Sequence, residues 1–179
     1  VGIGKQSKAS FRKEVRLVKR RLALFFDGAN HSEALKRAKV SLNYEKFLEN
    51  LNLTYDVVSA RYYSGISDDP QYKNVRDFLG SLSKKGYVLI TKPVHKYPDE
   101  SVKANMDIEI AVDMVTMSPR LDKVMLFSGD GDFTYAVDTI QRIGVSVTVV
   151  SHKPYASVEL RNQSNEFYEL AKLAEDYNY

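Results

Sequence analysis

The sequence predicts an α/β fold: a doubly wound, mostly parallel sheet of five or six strands with helices on both faces. Three observations predict it. Two short, unbroken apolar runs, within Leu22–Asn30 (LALFFDGAN) and Val124–Asp132 (VMLFSGDGD), end abruptly in Gly and Asp, as strands buried on both faces of a parallel sheet do. Strand-like runs alternate along the chain with helical patterns of roughly ten to fifteen residues, which implies right-handed crossovers. A chain of 179 residues with a hydrophobic fraction of 44% is enough for one good-sized core.

The elements follow in order. Arg21–Phe26 is strand one. His31–Lys39 is a short helix, with Asn30 as N-cap and Glu33 completing a capping-box pattern. Tyr44–Leu51 is a second helical piece, and Tyr55–Tyr63 is strand two. Asp69-Pro70 opens a helix by supplying a cap and then Pro in the first turn. That helix spaces Tyr72, Val75, Phe78, Leu79 and Leu82 along one face and stops at Gly86. Tyr87–Thr91 is strand three, and Pro93–Val102 is a polar loop. Ala104–Met117 is a helix ended by Ser118-Pro119. Lys123–Phe127 is strand four, Asp132–Ile143 a helix ended by Gly144, and Val145–Val150 strand five. The tail holds short pieces around Ser157–Arg161 and a last helix near Phe167–Tyr177. No repeat, low-complexity tract or interdomain linker interrupts this pattern.

Composition excludes several chemistries. Without Cys there are no disulfides, thiolate metal sites or Cys nucleophile, which fits a cytoplasmic protein. His31, His95 and His152 are widely separated and lack metal-ligand spacing. Any metal would therefore be held by oxygen, which points to magnesium or manganese rather than zinc. No run approaches the ~20 apolar residues of a membrane helix, so no membrane partner is expected. The basic N-terminus has no apolar segment of the kind a secretory signal needs. The net charge of +3 hides an asymmetry: residues 1–21 carry eight Lys/Arg against one Glu, a balance of +7, and the rest of the chain balances at −4. Residues 1–20 are thus expected as a basic extension and residues 21–179 as a single domain. The extension is either a phosphate-binding tail or a solvated arm whose Phe11, Val15, Leu17 and Val18 dock on the domain.

In the usual doubly wound order, strand one lies beside strand four, and ligands bind in the crevice at the carboxyl ends where the winding reverses. Asp27 ends strand one; Asp130 and Asp132 follow strand four. The third element is the helix Ala104–Met117. At about 100° per residue, its apolar residues cover most of the wheel, and Glu109, Asp113 and Thr116 gather in the remainder. Asp107 falls within the apolar arc, one turn from the helix start, and that start lies on the crevice edge of the sheet. A carboxylate there needs a counter-charge. Lys103, one turn earlier, would give a plain salt bridge; a shared cation would serve all the aspartates at once.

Each carboxylate also has a structural explanation. Asp27 alone suits a turn, one of Asp130 and Asp132 an N-cap, and Asp113 a solvated helix edge. Gly129 and Gly131 miss the G-x-G-x-x-G spacing of a dinucleotide site. The cluster is more specific than any member. Several carboxylates raise one another's pKa, a divalent cation keeps them ionised, and such a hard oxygen site suits phosphoryl chemistry. Lys103 and the amides near Gly28 and Gly131 are placed to hold a phosphate. Tyr62, Tyr63, Tyr97 and Tyr155, among 12 tyrosines, either stack on unpaired bases or are ordinary half-buried residues.

DGAN at Asp27–Asn30, K-x-x-x-D at Lys103–Asp107 with Asp113 beyond it, and SGDGDF at Ser128–Phe133 resemble, in that order, the three signatures of the NYN domain. This is a family of the PIN-like nuclease superfamily with a Rossmannoid fold, and the likeness is to its LabA-like bacterial branch. It covers about residues 20–150 and extends to ELRNQSNEFYEL at Glu159–Leu170, leaving the basic arm outside. The resemblance implies a magnesium- or manganese-dependent ribonuclease with Asp27, Asp107, Asp130 and Asp132 as metal-binding carboxylates and Asn30 as a helper; Asp113 matches a further acidic position. Lys103 and Ser128, within the same motifs, are expected at the substrate. The partner implied is RNA, single-stranded in the first instance; a homodimer is compatible with the sequence, which sets no oligomeric state.

Three readings compete at this point: a metal-dependent ribonuclease, a nucleic-acid-binding or regulatory module of the same fold with little turnover, and a metal-dependent phosphatase of the haloacid-dehalogenase type. The last requires a second Asp two residues after the first, where this chain has Ala29.

Overall fold

Parallel pairing of the two most apolar strands organises the molecule. In the computed structural model, which describes residues 18–96 and 102–177 and leaves out the side chains of residues 95, 96, 102 and 103, β1 (Arg21–Asp27) lies beside β6 (Lys123–Phe127), with Leu22 opposite Lys123 and Phe26 opposite Phe127. On its other side β1 pairs with β2 (Asp56–Ile66), which pairs with β3 (Val88–Pro93). Beyond β6 come β7 (Ser146–Ser151) and β8 (Glu166–Glu169). The six strands run in the order β3-β2-β1-β6-β7-β8, all neighbours parallel. The winding reverses between β1 and β6, as expected, and opens a crevice at their carboxyl ends.

Because strand side chains alternate, β1 feeds two cores. Leu22, Leu24 and Phe26 face one layer with α1 (Gly28–Ala38), α2 (Tyr44–Thr54), α3 (Lys73–Lys84) and α7 (Leu170–Tyr177). Ala23 and Phe25 face the other, with α4 (Asp107–Met117), α5 (Thr134–Arg142) and α6 (Val158–Gln163). The rings of Phe26 and Phe127 stack at 3.8 Å between centroids across the β1/β6 pair. His31 is buried between them and Tyr44, whose hydroxyl lies 3.1 Å from its Nε2; burial pushes the imidazole down to about 3, so it is a neutral core residue.

Several expectations are corrected. Helix α1 begins at Gly28 rather than after Asn30: Asp27 is its N-cap, accepting from the Asn30 N–H at 3.2 Å, and Glu33 pairs with Arg37 instead of closing a capping box. Phe167 belongs to the sixth strand rather than the last helix. The Asn165 side chain accepts from Val147 N–H at 2.7 Å and its own N–H donates to Val147 O, which starts the edge pairing that β8 continues. Within the expected loop after β3, β4 (His95–Lys96) pairs antiparallel with β5 (Val102–Lys103). Helix α4 starts at Asp107, three residues late, because the Asn105 side chain accepts the Asp107 N–H at 2.8 Å in a local turn. The apolar arc of α4 is wider than the face that packs: Ile110 and Met114 are buried, but Ile108 is 74% exposed and Val112 53%. Of the basic arm, residues 1–17, with Phe11, Val15 and Leu17, lie outside the described residues, and Val18 is 91% exposed rather than docked.

Two glycines should respond to alanine with opposite signs. A Cβ on Gly28 would lie 2.4 Å from the Tyr63 carbonyl and 2.7 Å from the Tyr62 ring, whereas one on Gly80, in the exposed interior of α3, would meet nothing within 4 Å. Gly28→Ala should cost about 1–3 kcal/mol by overpacking, and Gly80→Ala should gain about 0.5–1 kcal/mol of helix stability. Urea unfolding of both variants checks the pair; a neutral Gly28→Ala would contradict the close approach of α1 to β2.

Candidate metal and nucleic-acid site

The register of β1 and β6 places Asp27 and Ser128 side by side, one step beyond the last paired residues. Asp27 is 7% exposed. Its Oδ1 accepts the Asn30 N–H and its Oδ2 accepts the Ser128 hydroxyl at 3.0 Å. Burial pushes the Asp27 carboxyl up to about 6; these two hydrogen bonds pull against that, and Asp107 and Asp130 add to the rise. The Asn30 side chain crosses the crevice, its Oδ1 accepting from Gly129 N–H at 2.8 Å. Asn30 therefore ties the start of α1 to the loop after β6, a positioning role rather than the N-cap expected.

That loop is shaped by its own side chains. Asp130 caps a 3-10 turn, Gly131–Phe133, by accepting from Asp132 N–H at 3.0 Å, and this leaves Asp132 free of a capping role. Ser128 was expected at the substrate. It is 1% exposed, and its hydroxyl donates to Asp27 Oδ2 while its oxygen accepts the Asp130 N–H, 3.2 Å away, so it holds the Asp27 carboxylate and the Asp130 backbone together. A Cβ on Gly129 would strike the Ala156 backbone at 2.9 Å, so the loop sits tightly against the segment before α6.

From the other side of the crevice, α4 brings Asp107. It is half-buried at the first helical residue, not deep on an apolar face. Asp107, Asp130 and Asp132 each offer an oxygen within 4.8 Å of the others. Burial raises the Asp107 carboxyl, a side-chain hydrogen bond with Asn105 opposes this, and Asp130, Asp132 and Glu109 add to the rise. Among the described residues, no cation pairs with any of the three. Nearby acids are treated differently: Glu109 pairs with Lys92 at 2.6 Å, and Asp113 takes Arg61 at 2.7 Å and the Tyr63 hydroxyl at 2.7 Å. Asp113 is thus neutralised within α4 and β2 and stands apart from the three-carboxylate group. Asp27 is not within that group either, but it lines the same pocket, about 330 Å³, with Asn30, Asp107 and Asp130. The Lys103 side chain lies outside the described residues; its backbone is in β5.

Three carboxylates with converging oxygens and no cation partner among the described residues suit a hard divalent ion bound by oxygen. Tyr155 forms another wall of the pocket, with the Arg37 guanidinium over its ring at 4.6 Å. Of the other tyrosines considered, Tyr62 and Tyr63 are core residues and Tyr97 lies outside the described residues. Asn105, which sets where α4 begins, was not expected; N-x-D before an apolar helix was its signal. No helix among the described residues is long and apolar enough to cross a membrane.

Comparison with known proteins agrees with this fold. The model of the NYN domain family matches residues 21–171. The Low amplitude and bright protein LabA of Synechococcus elongatus is 35% identical over 162 residues, which is 84% of this chain and 83% of LabA. The crystal structure of a protein of unknown function from Vibrio parahaemolyticus superposes with a TM-score of 0.75 at 29% identity, covering 87% of this chain and 96% of that one.

The raised Asp27 carboxyl has a signature in stability. Between the unfolded value of 3.8 and the folded value of about 6, the unfolded chain has lost a proton that the folded protein retains. Metal-free stability contributed by this group is therefore complete below pH ~4 and is lost as pH rises to about 6. The stability of wild type minus that of Asp27→Asn, from urea unfolding in chelator at pH 4 to 7, should fall over that window. A difference that is flat or rises with pH would show that Asp27 is not held in a desolvated site.

Proposed function

Since the chain belongs to the NYN domain family, which is related to the PIN-like nucleases, we propose that it is a metal-dependent ribonuclease that hydrolyses phosphodiester bonds of single-stranded RNA. The observation that carries this reading is the convergence of Asp107, Asp130 and Asp132 from two different elements with no cation partner among the described residues. In it these three hold magnesium or manganese, and Asp27 lines the same pocket as Asp107 and Asp130. A divalent cation bound there would supply Lewis-acid activation of water and offset the negative charge that develops on the phosphoryl oxygens.

The chain's own groups act around that centre. Ser128 and the Asn30 N–H hold the Asp27 carboxyl in one orientation, and Asp130 is held through its own N–H on Ser128. Asn30 ties α1 to the loop after β6, and hence Asp27 to the segment that carries Asp130 and Asp132. The first-turn position of Asp107 lets the positive end of α4 favour its ionised form. Tyr155, backed by Arg37, presents a ring at the pocket wall where an unpaired base can stack.

Asp107→Asn separates this role from a structural one. Labelled single-stranded RNA should be cut by wild type with manganese, not with chelator, and by Asp107→Asn about a hundredfold more slowly or less. In chelator, Asp107→Asn should melt no lower than wild type, because a repelling charge has been removed. Manganese should raise the melting temperature of wild type only. Undiminished cutting by the variant, or a large loss of its stability in chelator, would contradict the assignment.

A further inference from the structure

A second pocket, about 360 Å³, opens beside the acidic one, and Ala29 and Ala104 line both. Its size is that of a small-ligand cleft. The division follows from α1. Ala29, Ser32 and Lys36 recur on one helical face and line the second pocket. Asn30 and Arg37 point the other way, to Gly129 and to Tyr155. At the boundary Ala29 and Ala104 line both pockets and carry only a methyl group each, so no long side chain of theirs stands between the two.

The second pocket has the chemistry of a nucleotide site. Tyr62, Val75 and Phe78 give it an aromatic and aliphatic lining, and the Tyr62 and Phe78 rings meet edge-on at 5.6 Å. Tyr72, half-buried on the 3-10 turn Pro70–Tyr72, adds a further ring at the side. Lys36 is exposed, and among the described residues its ammonium has no ion pair or hydrogen bond, whereas neighbouring Arg37 is held by Glu33. An unneutralised cation beside an aromatic slot matches a phosphate attached to a flat base.

We propose that this pocket holds the nucleotide adjacent to the scissile phosphodiester, with the base against Tyr72 and the phosphate at Lys36. This rests on the ribonuclease reading. Tyr72 and Lys36 are then positioning residues for RNA, and neither touches the aspartates. RNA binding by fluorescence anisotropy in an Asp130→Asn background, where the strand stays intact, tests it.

Adding Tyr72→Ala or Lys36→Ala should weaken binding at least about fivefold, and Tyr72→Phe and Lys36→Arg should restore it. Lys36→Ala should also reduce the salt slope by about one phosphate contact. One abasic position in the RNA should cost affinity against Asp130→Asn and nothing further against Asp130→Asn with Tyr72→Ala. Equal affinity in all variants, an abasic penalty that persists without Tyr72, or no binding to the Asp130→Asn protein would overturn the pocket. The ribonuclease reading falls separately, if wild type with manganese leaves the same RNA uncut.

Discussion

The parallel register of β1 against β6 is the constraint on which the rest of the structure depends. It sets Leu22–Phe26 against Lys123–Phe127, and a slip of one residue would turn every side chain of β1 to the opposite core. The stacked rings of Phe26 and Phe127 close one core and help hold that register. The same pairing brings Asp27 beside Ser128 and starts both following turns at one height above the sheet. Helix α1 then leaves from Asp27, and the 3-10 turn leaves from Asp130. The acidic crevice is thus a consequence of strand pairing, finished by two local caps.

Gathering carboxylates at one edge has a cost, and the structure treats different acids differently. Glu109 and Asp113 are neutralised by Lys92 and Arg61. Asp27 is desolvated but receives two hydrogen bonds, from Asn30 N–H and the Ser128 hydroxyl. Asp107, Asp130 and Asp132 receive no cation among the described residues, although they lie closest together. A site that serves only stability would pair such charges or replace them, because unpaired like charges push one another toward protonation. The pattern suits a site whose counter-charge is a bound cation.

Most of the fold was legible because its signals are strong and local. Lys123–Phe127 is the strand that the apolar run marks, and the order of strands one and four follows from the alternation of elements. What was missed lies where side chains compete with backbone. Asp27 displaced Asn30 as the cap of α1, since a carboxylate ending a strand also suits the first turn of a helix. Asn105 delayed α4 by taking the Asp107 N–H, so Asp107 came to the mouth of the crevice rather than into an apolar layer. Asn165 made an edge strand of residues whose period alone reads as helix. The pairing of Asp113 with Arg61 and Tyr63 joins residues about fifty positions apart, and no sequence spacing announces it. Motif order identified the cluster, but only the tertiary arrangement separates its three converging carboxylates from Asp27 behind them and Asp113 to the side.

The central claim is that Asp107, Asp130 and Asp132 share one divalent cation. Anomalous diffraction from crystals grown with manganese reads this directly. A single strong peak between the three carboxylates, absent from crystals of Asp130→Asn, is the predicted result. At saturating manganese, an empty crevice, or a peak bound instead at Asp113 and Glu109, would contradict it.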